Sequence, residues 1–396
     1  MQLKPSNIAI KAWHQMHPIV LGIAAAFISL ASFDMPPANA ATPFPLGVYV
    51  GNPNGSTPSA EASFEADFAS FQSAMNAKPR LITTYIDYRQ QVAAWPSNAS
   101  WQAWSNAQSP VARSLTPVIG FPMATIAAGA MTPDQQFQAF TAGQYDGAIQ
   151  GVVQAWATHG FKTLIFRLGW EMNITGPTYA GSDTLSQADW VAAFQHIETV
   201  IKTTATAAGV RAWIVWNPNS TNYSDANALT SLYPGDRYVD IVGIDMYGGM
   251  YPYSDSVSPP TYHDWATGQE DTSVAAFIAN PINRAHYWSY PAATKWVNDS
   301  SGGHCQSLTD IIQFAIAHGK VIAIPETGAG ATPTDVSDDP AFPQWLAAQL
   351  AAAVAAGGKV VFVNIWNSNN GGKYEFSYAS NNKPLERQAW RQYFGR

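Results

Sequence analysis

Four times in this chain a stretch of helical periodicity ends in a glycine and an apolar or β-branched run follows within a few residues. This repeated join restricts the fold more than any other feature of the sequence. The joins are His159-Gly160, Ala208-Gly209, His318-Gly319 and Ala356-Gly357, and glycine there favours the left-handed cap that closes a helix. The helices they end are read as Ile149 to His159, Gln187 to Ala208, Leu308 to His318 and Phe342 to Ala356. The strands are read as "LGVYV" from Leu46, "LITTYI" from Leu81, "LTPVIGF" from Leu115, "KTLIFRLGW" from Lys162, "RAWIVW" from Arg211, "YVDIVGIDMY" from Tyr238, "KVIAIPE" from Lys320 and "KVVFVNIW" from Lys359. Eight strands alternating with helices over about 350 residues predict an α/β fold, a single-domain (β/α)8 TIM barrel, in preference to an open doubly wound sheet.

The first 40 residues stand outside this rhythm. Lys4 and Lys11 precede an apolar stretch from Ile19 to Ala31, and Ala38-Asn39-Ala40 supplies the small residues a signal peptidase cuts after. That stretch is shorter than the about 18 apolar residues a membrane span needs. The expectation is therefore a removed signal peptide over 1–40, a catalytic domain over 41–396, and an exported protein, periplasmic or extracellular, with no membrane contact after cleavage. No lipobox cysteine lies near the cut, which argues against a lipid anchor. The oligomeric state is left open by the sequence.

The chain carries a net charge of −7 with no basic cluster, which argues against nucleic acid and anionic membrane as partners. One cysteine, Cys305, rules out an internal disulfide and a multi-thiolate zinc site. The eight histidines contain no HExxH pair, and neither a Walker loop, a GxGxxG turn nor a GxSxG elbow is present. No metal and no organic cofactor is implied.

In such a barrel the reacting groups sit at the carboxyl ends of strands, and two strands end in glutamate. On the fourth, alternation puts Arg167, Gly169 and Glu171 on one side; on the seventh it does the same for Ile322, Ile324 and Glu326. If that side faces the barrel interior, both carboxyls converge over its mouth. Two converging carboxyls are what glycosidic bond hydrolysis needs, one protonated to assist the leaving oxygen and one ionised to attack or to activate water. Arg167 would then hold a neighbouring carboxylate ionised and oriented. In the sixth strand Asp240 and Asp245 have opposite parity, so that only Asp245 reaches the active face. Trp213 and Trp216 fall on opposite faces of the fifth strand, which leaves at least one of them packed behind the barrel. With 13% aromatic residues including 15 Trp, the composition suits a sugar ligand, whose apolar faces stack on such rings, although rings also simply fill cores. Many rings lie in a long connection, at about 247–306, read as a folded wall beside the active face.

"FRLGWEMN" at Phe166, "VWNPN" at Val215, "YPGDRYVDIVGIDMYG" at Tyr233 and "IPETGAG" at Ile324 together resemble glycoside hydrolase family 26, whose members include β-mannanases. The resemblance runs in order from about Thr163 to Phe394. It implies a barrel that cleaves β-linked glycans with retention of configuration, and the reading adopted is cleavage inside a polysaccharide chain. Carried over position by position, Glu171 matches the acid/base, Glu326 the nucleophile, Arg167 the arginine four residues before the acid/base, and Tyr247 the tyrosine bonded to the nucleophile. Trp366 fits the platform under the sugar, and Trp170, Asn217, Asn219 and Asp245 are candidates for substrate binding. The chain departs from the family in having Trp170 where His commonly precedes the acid/base, and Ile174 to Tyr179 where a Gly and then an aromatic commonly follow it. A β-glucanase, a β-xylanase, an exopolysaccharide hydrolase and a polysaccharide-binding protein without turnover therefore stand as alternatives.

Overall fold

The computed structural model describes residues 44–51, 58–173, 187–220, 222–223, 231–248, 262–263, 267, 270–271, 280–288, 304–305, 308–330, 338–368, 374–377 and 383–395, all within one compact unit, Asn39–Arg396. The expected signal peptide, the stretch from Ile174 to Tyr179 and most of the aromatic connection after Tyr247 lie outside the described residues.

All eight expected strands are present, as β1 (Leu46–Tyr49), β2 (Leu81–Tyr85), β3 (Thr116–Phe121), β4 (Thr163–Leu168), β5 (Arg211–Trp216), β6 (Ile241–Gly243), β7 (Val321–Gly328) and β8 (Val360–Trp366). They pair in parallel in chain order, and β8 pairs with both β7 and β1, which closes the sheet into a barrel. Around it stand α1 (Pro58–Met75), α2 (Trp95–Gln108), α3 (Pro133–Thr141), α4 (Asp146–Thr158), α5 (Gln187–Ala207), α6 (Pro281–Trp288), α7 (Leu308–Ala317), α8 (Ala341–Ala355) and α9 (Pro384–Phe394). The four helix-ending glycines have φ of +94° at Gly160, +66° at Gly209, +64° at Gly319 and +91° at Gly357, the conformation their role requires.

Alternation along the strands divides the core in two. Ile82, Ile119, Phe166, Ile214, Val242, Ile322 and Val363 face outward and pack with helix residues such as Phe71, Trp156, Ile197 and Leu346. Leu81, Val118, Ile165, Val215, Ile241, Ala323 and Phe362 face inward and fill the barrel at one level. Two residues further along their strands the interior turns polar, with Thr83, Arg167 and Asn217 all buried. There Asn364 Nδ2 donates to Thr83 Oγ1 at 2.8 Å. Gly120 belongs to this level, where a Cβ would stand 2.4 Å from the Tyr85 ring. Glycine at 120 therefore makes the room that lets Tyr85 lie across the barrel mouth.

Three details differ from the sequence expectation. β4 ends at Leu168, and Gly169 (φ +49°) and Glu171 (φ +54°) turn left-handed, so alternation stops short of Glu171. On β7 the parity is reversed: Ile322 and Ile324 face the helices, while Ala323 faces the interior. A register shift between Ile324 and Thr327 turns Glu326 inward, as an irregularity in a strand re-aims a side chain. The sixth strand is also broken. Its run from Tyr238 becomes a 3-10 turn (Asp236–Tyr238), then β6, then a two-residue strand, Met246–Tyr247, that pairs with Thr327 and Gly328 of β7.

Candidate active site

Glu171 reaches the mouth by its backbone turn. A positive φ is uncommon for a residue with a side chain and costs on the order of 1–3 kcal/mol. The turn is docked by the Glu171 N–H, which donates to the Asn217 carbonyl at 2.7 Å. Asn173 fastens the same turn to the end of β5, with Nδ2 donating to the Asn219 carbonyl at 2.8 Å and Oδ1 accepting from the Asn219 N–H at 2.7 Å. Asn219 Nδ2 in turn donates to Glu171 Oε1. "VWNPN" thus positions the glutamate turn with backbone and side chain together.

Arg167 is fully buried and binds four groups. Its Nε donates to Asn217 Oδ1 at 2.7 Å and Nη2 to Asp245 Oδ2 at 2.6 Å; Nη1 donates to Tyr85 Oη at 2.8 Å and lies 2.7 Å from Glu326 Oε1. Burial works against the guanidinium charge, but Asp245, Tyr85 and Glu326 outweigh it and hold the pKa well above the ordinary value. Arginine suits this position, because it stays charged and its planar fork meets several acceptors at once.

Glu326, 6% exposed, accepts from a phenol on each side. Tyr85 donates to Oε1, and Tyr247 donates to Oε2 at 2.7 Å. Burial, and then the charge of Glu326, pushes the Tyr247 hydroxyl well above its ordinary range; for Tyr85 burial also prevails, although Arg167 opposes it. Both phenols therefore remain protonated donors at neutral pH. Glu171, Asp245 and Glu326 each bring a carboxylate oxygen within 4.8 Å of the others. Two of the three respond. Burial, opposed by Arg167, pushes the Asp245 carboxyl well above its ordinary range. For Glu171, burial and then the neighbouring Glu326 raise the pKa to about 8, against the pull of Asn219 and Arg167. Glu171 is thus protonated at neutral pH beside a carboxylate held by a guanidinium and two phenols. Three carboxylates this close are also a donor set a cation can use, but here Arg167 already supplies positive charge to two of them.

The rings follow the same geometry. Trp366 is half-buried at the end of β8 and lies against Tyr49, ring centroids 4.1 Å apart and planes 32° apart. Trp170 is only 6% exposed and packs on Tyr85 at 5.2 Å, so it backs the wall more than it offers a surface. Trp216 is buried outside the barrel against Phe314, and Trp213 is exposed beside Lys202 and Arg211; neither enters the mouth. Asp240 faces away and binds Lys202 at 2.5 Å, while Asp245 faces inward, as parity requires.

The site thus gathers Arg167, Glu171, Asn217, Asn219, Asp245, Tyr247, Glu326 and Trp366. It also contains residues that no sequence motif singled out. Tyr85 ends β2 and Tyr49 ends β1, as Trp366 ends β8. Burial, then Glu326, pushes the Tyr49 hydroxyl up to about 12. Tyr374 adds a ring 4.8 Å from Tyr247.

Residues 194–259 match the family model described as glycosyl hydrolase family 26, a segment that holds Asn217, Asn219, Asp245 and Tyr247. No curated protein matches the chain. Among solved structures, an endo-beta-1,4-mannanase double mutant of Cellulomonas fimi is 15% identical, with 88% of this chain and 70% of that one covered and a TM-score of 0.53. GH26C from a Muricauda species is 15% identical over 87% of this chain and 84% of that one, with a TM-score of 0.51. At that identity the structural likeness bears on the fold, and it is the barrel described above. The matched segment runs through β5 and the broken sixth strand, so this part of the barrel is similar to glycoside hydrolase family 26.

Proposed function

We propose that the protein is an exported, endo-acting β-mannanase-like hydrolase that cleaves a β-linked polysaccharide by double displacement. The observation that carries this proposal is the unequal pair of glutamates: Glu171 raised to about 8 and Glu326 bound by Arg167, Tyr85 and Tyr247, with oxygens within 4.8 Å. Retaining enzymes keep their two carboxyls about 5–5.5 Å apart, whereas inverting ones leave about 6.5–9.5 Å for a water. The separation favours retention.

In the first step Glu326 attacks the anomeric carbon as the glycosidic C–O bond breaks, and Glu171 gives its proton to the departing oxygen. In the second, water attacks the glycosyl–Glu326 ester; Glu171 takes the water's proton, and the Glu326 carboxylate leaves. Arg167 and the phenols of Tyr85 and Tyr247 keep the carboxylate of Glu326 aimed, and Trp366 with Tyr49 forms a platform for the sugar. Asn217, expected to bind hydroxyls, is instead fully buried with its amide engaged by Arg167 and the Pro218 carbonyl, so that of the two asparagines only Asn219, beside Glu171, is placed near the substrate. Export is supported by the first 40 residues of the sequence, and no helix among the described residues is long and apolar enough to cross a membrane.

The test is reducing-sugar release from mannan, glucomannan, xylan, mixed-linkage glucan and bacterial exopolysaccharides. One polymer should be cut; Glu326→Ala should abolish the activity on every substrate, while Glu171→Ala should retain turnover of an activated aryl glycoside and be rescued by azide. Equal loss in both variants on the aryl glycoside would refute the separate roles. Binding of glycan without new reducing ends would refute hydrolysis.

A further inference from the structure

Helix α2 turns toward solvent a face with no charge on it. Trp95, Ala99, Gln102, Ala103 and Asn106 are buried on its inner side. It packs closely on α4, where a Cβ at Gly151 would stand 2.8 Å from the Pro96 ring. The outward positions, spaced one helical turn apart, are Ser97, Ser100, Trp101, Trp104 and Gln108, all exposed. Neither an acid nor a base occurs anywhere in Trp95–Gln108.

Trp101 and Trp104 are 43% and 38% exposed, with ring centroids 5.1 Å apart and planes 30° apart. Large apolar side chains left singly on a surface are ordinary, but these two indoles pack ring to ring and form one continuous apolar surface. Among the described residues Trp213 is the one other exposed tryptophan, and it stands beside Lys202 and Arg211. The chemistry of the face selects its ligand. A pyranose lays its C–H face on an indole and extends its hydroxyls sideways, where Ser97, Ser100 and Gln108 can bond them. An ionic ligand meets no countercharge on this helix. An amphipathic helix would need apolar partners where the face has serine and glutamine.

We propose that Trp101 and Trp104 form a second glycan-binding platform on the outer wall of the barrel, apart from the catalytic mouth, which holds a neutral β-linked polysaccharide chain. The proposal rests on the hydrolase reading for its choice of polymer. Its effect is to keep the polymer at the enzyme between cuts, since a second contact raises the effective concentration of chain at the first.

The test compares the full chain with a Trp101→Ala/Trp104→Ala double variant on a short soluble oligosaccharide and on an insoluble polymer of the same linkage. The expected result is an unchanged kcat/KM on the oligosaccharide, with adsorption to the polymer and its hydrolysis both lowered about fivefold or more. In a Glu326→Ala background, which removes turnover, the double variant should also be retarded less in native gels cast with soluble polymer. Equal adsorption, or a proportional loss on both substrates, overturns the platform. The two proposals fail separately: adsorption that depends on these tryptophans without any release of reducing ends keeps the platform and refutes hydrolysis. Cleavage with adsorption that ignores them refutes the platform alone.

Discussion

Replacing Asn219 with Ala should move the alkaline limit of catalysis upward. In the proposed mechanism Glu171 is the acid and works only while protonated, and burial followed by the Glu326 charge has raised its pKa to about 8. Activity should therefore be flat below that value and fall as pH rises through it. Asn219 Nδ2 donates to Glu171 Oε1 and so favours the ionised form. Loss of a hydrogen bond to a charged group is worth about 1.5–3 kcal/mol, or about one to two pKa units at about 1.4 kcal/mol per unit. Water entering the space left by alanine recovers part of this, and about one unit is the expected shift. The backbone bonds between Asn219 and Asn173 survive the substitution, so the turn that carries Glu171 stays in place. At pH 9 the wild-type acid is about one-tenth protonated and that of the variant about half, so kcat/KM relative to its own plateau should be roughly fivefold higher in Asn219→Ala. The assay is kcat/KM from pH 5 to 10 on an oligosaccharide with a sugar leaving group. The same profile on an aryl glycoside that needs no protonation should lack the limb. A limb that stays fixed or moves down in Asn219→Ala refutes Glu171 as its origin.

Tyr85→Phe removes a donor to Glu326 and an acceptor for Arg167. It should lower kcat by about 10- to 150-fold, the equivalent of about 1.5–3 kcal/mol, with KM little changed; an unchanged kcat would refute the positioning role of Tyr85. Arg167→Met leaves the fully buried Asp245 and the nearly buried Glu326 without their guanidinium. It should cost about 3–5 kcal/mol in chemical denaturation, and a cost under about 1 kcal/mol would refute the dependence of the cluster on that charge. Glu386 in α9 is fully buried, and burial, opposed by Lys383, raises its pKa to about 8. Since the folded state holds this proton more tightly than the unfolded one, the stability it contributes is complete below its ordinary value and is lost as pH rises through about 8. Glu386→Gln should flatten the fall in Tm between the ordinary carboxyl value and about pH 8, leaving the part that Glu171 causes with the same sign; an unaltered slope would refute this.

The barrel was legible in the sequence because its signals are local. Gly160, Gly209, Gly319 and Gly357 each need the left-handed backbone at a helix end, and the runs beside them are too short and too apolar to be anything but strands. The site was legible through strand ends, yet alternation alone misplaced it. Ile322 and Ile324 point outward, and Glu326 is turned inward by a register shift that depends on pairing with β8, which no single-strand pattern contains. Glu171 is delivered by a strained turn that Asn217 and Asn173 hold, so its parity with Arg167 was coincidental. Tyr85 was missed because only strand ends that carry charge were read as reactive, whereas β2 ends in a phenol; Trp366 came from the family resemblance and not from its position.

The most direct test is to trap the intermediate. Incubation with an activated 2-deoxy-2-fluoro glycoside of the cleaved sugar, followed by proteolysis and mass spectrometry, should find one glycosyl unit on the peptide that contains Glu326, with turnover lost in step with labelling. A label on the Glu171 peptide, or hydrolysis that releases a product of inverted configuration, would contradict double displacement through Glu326.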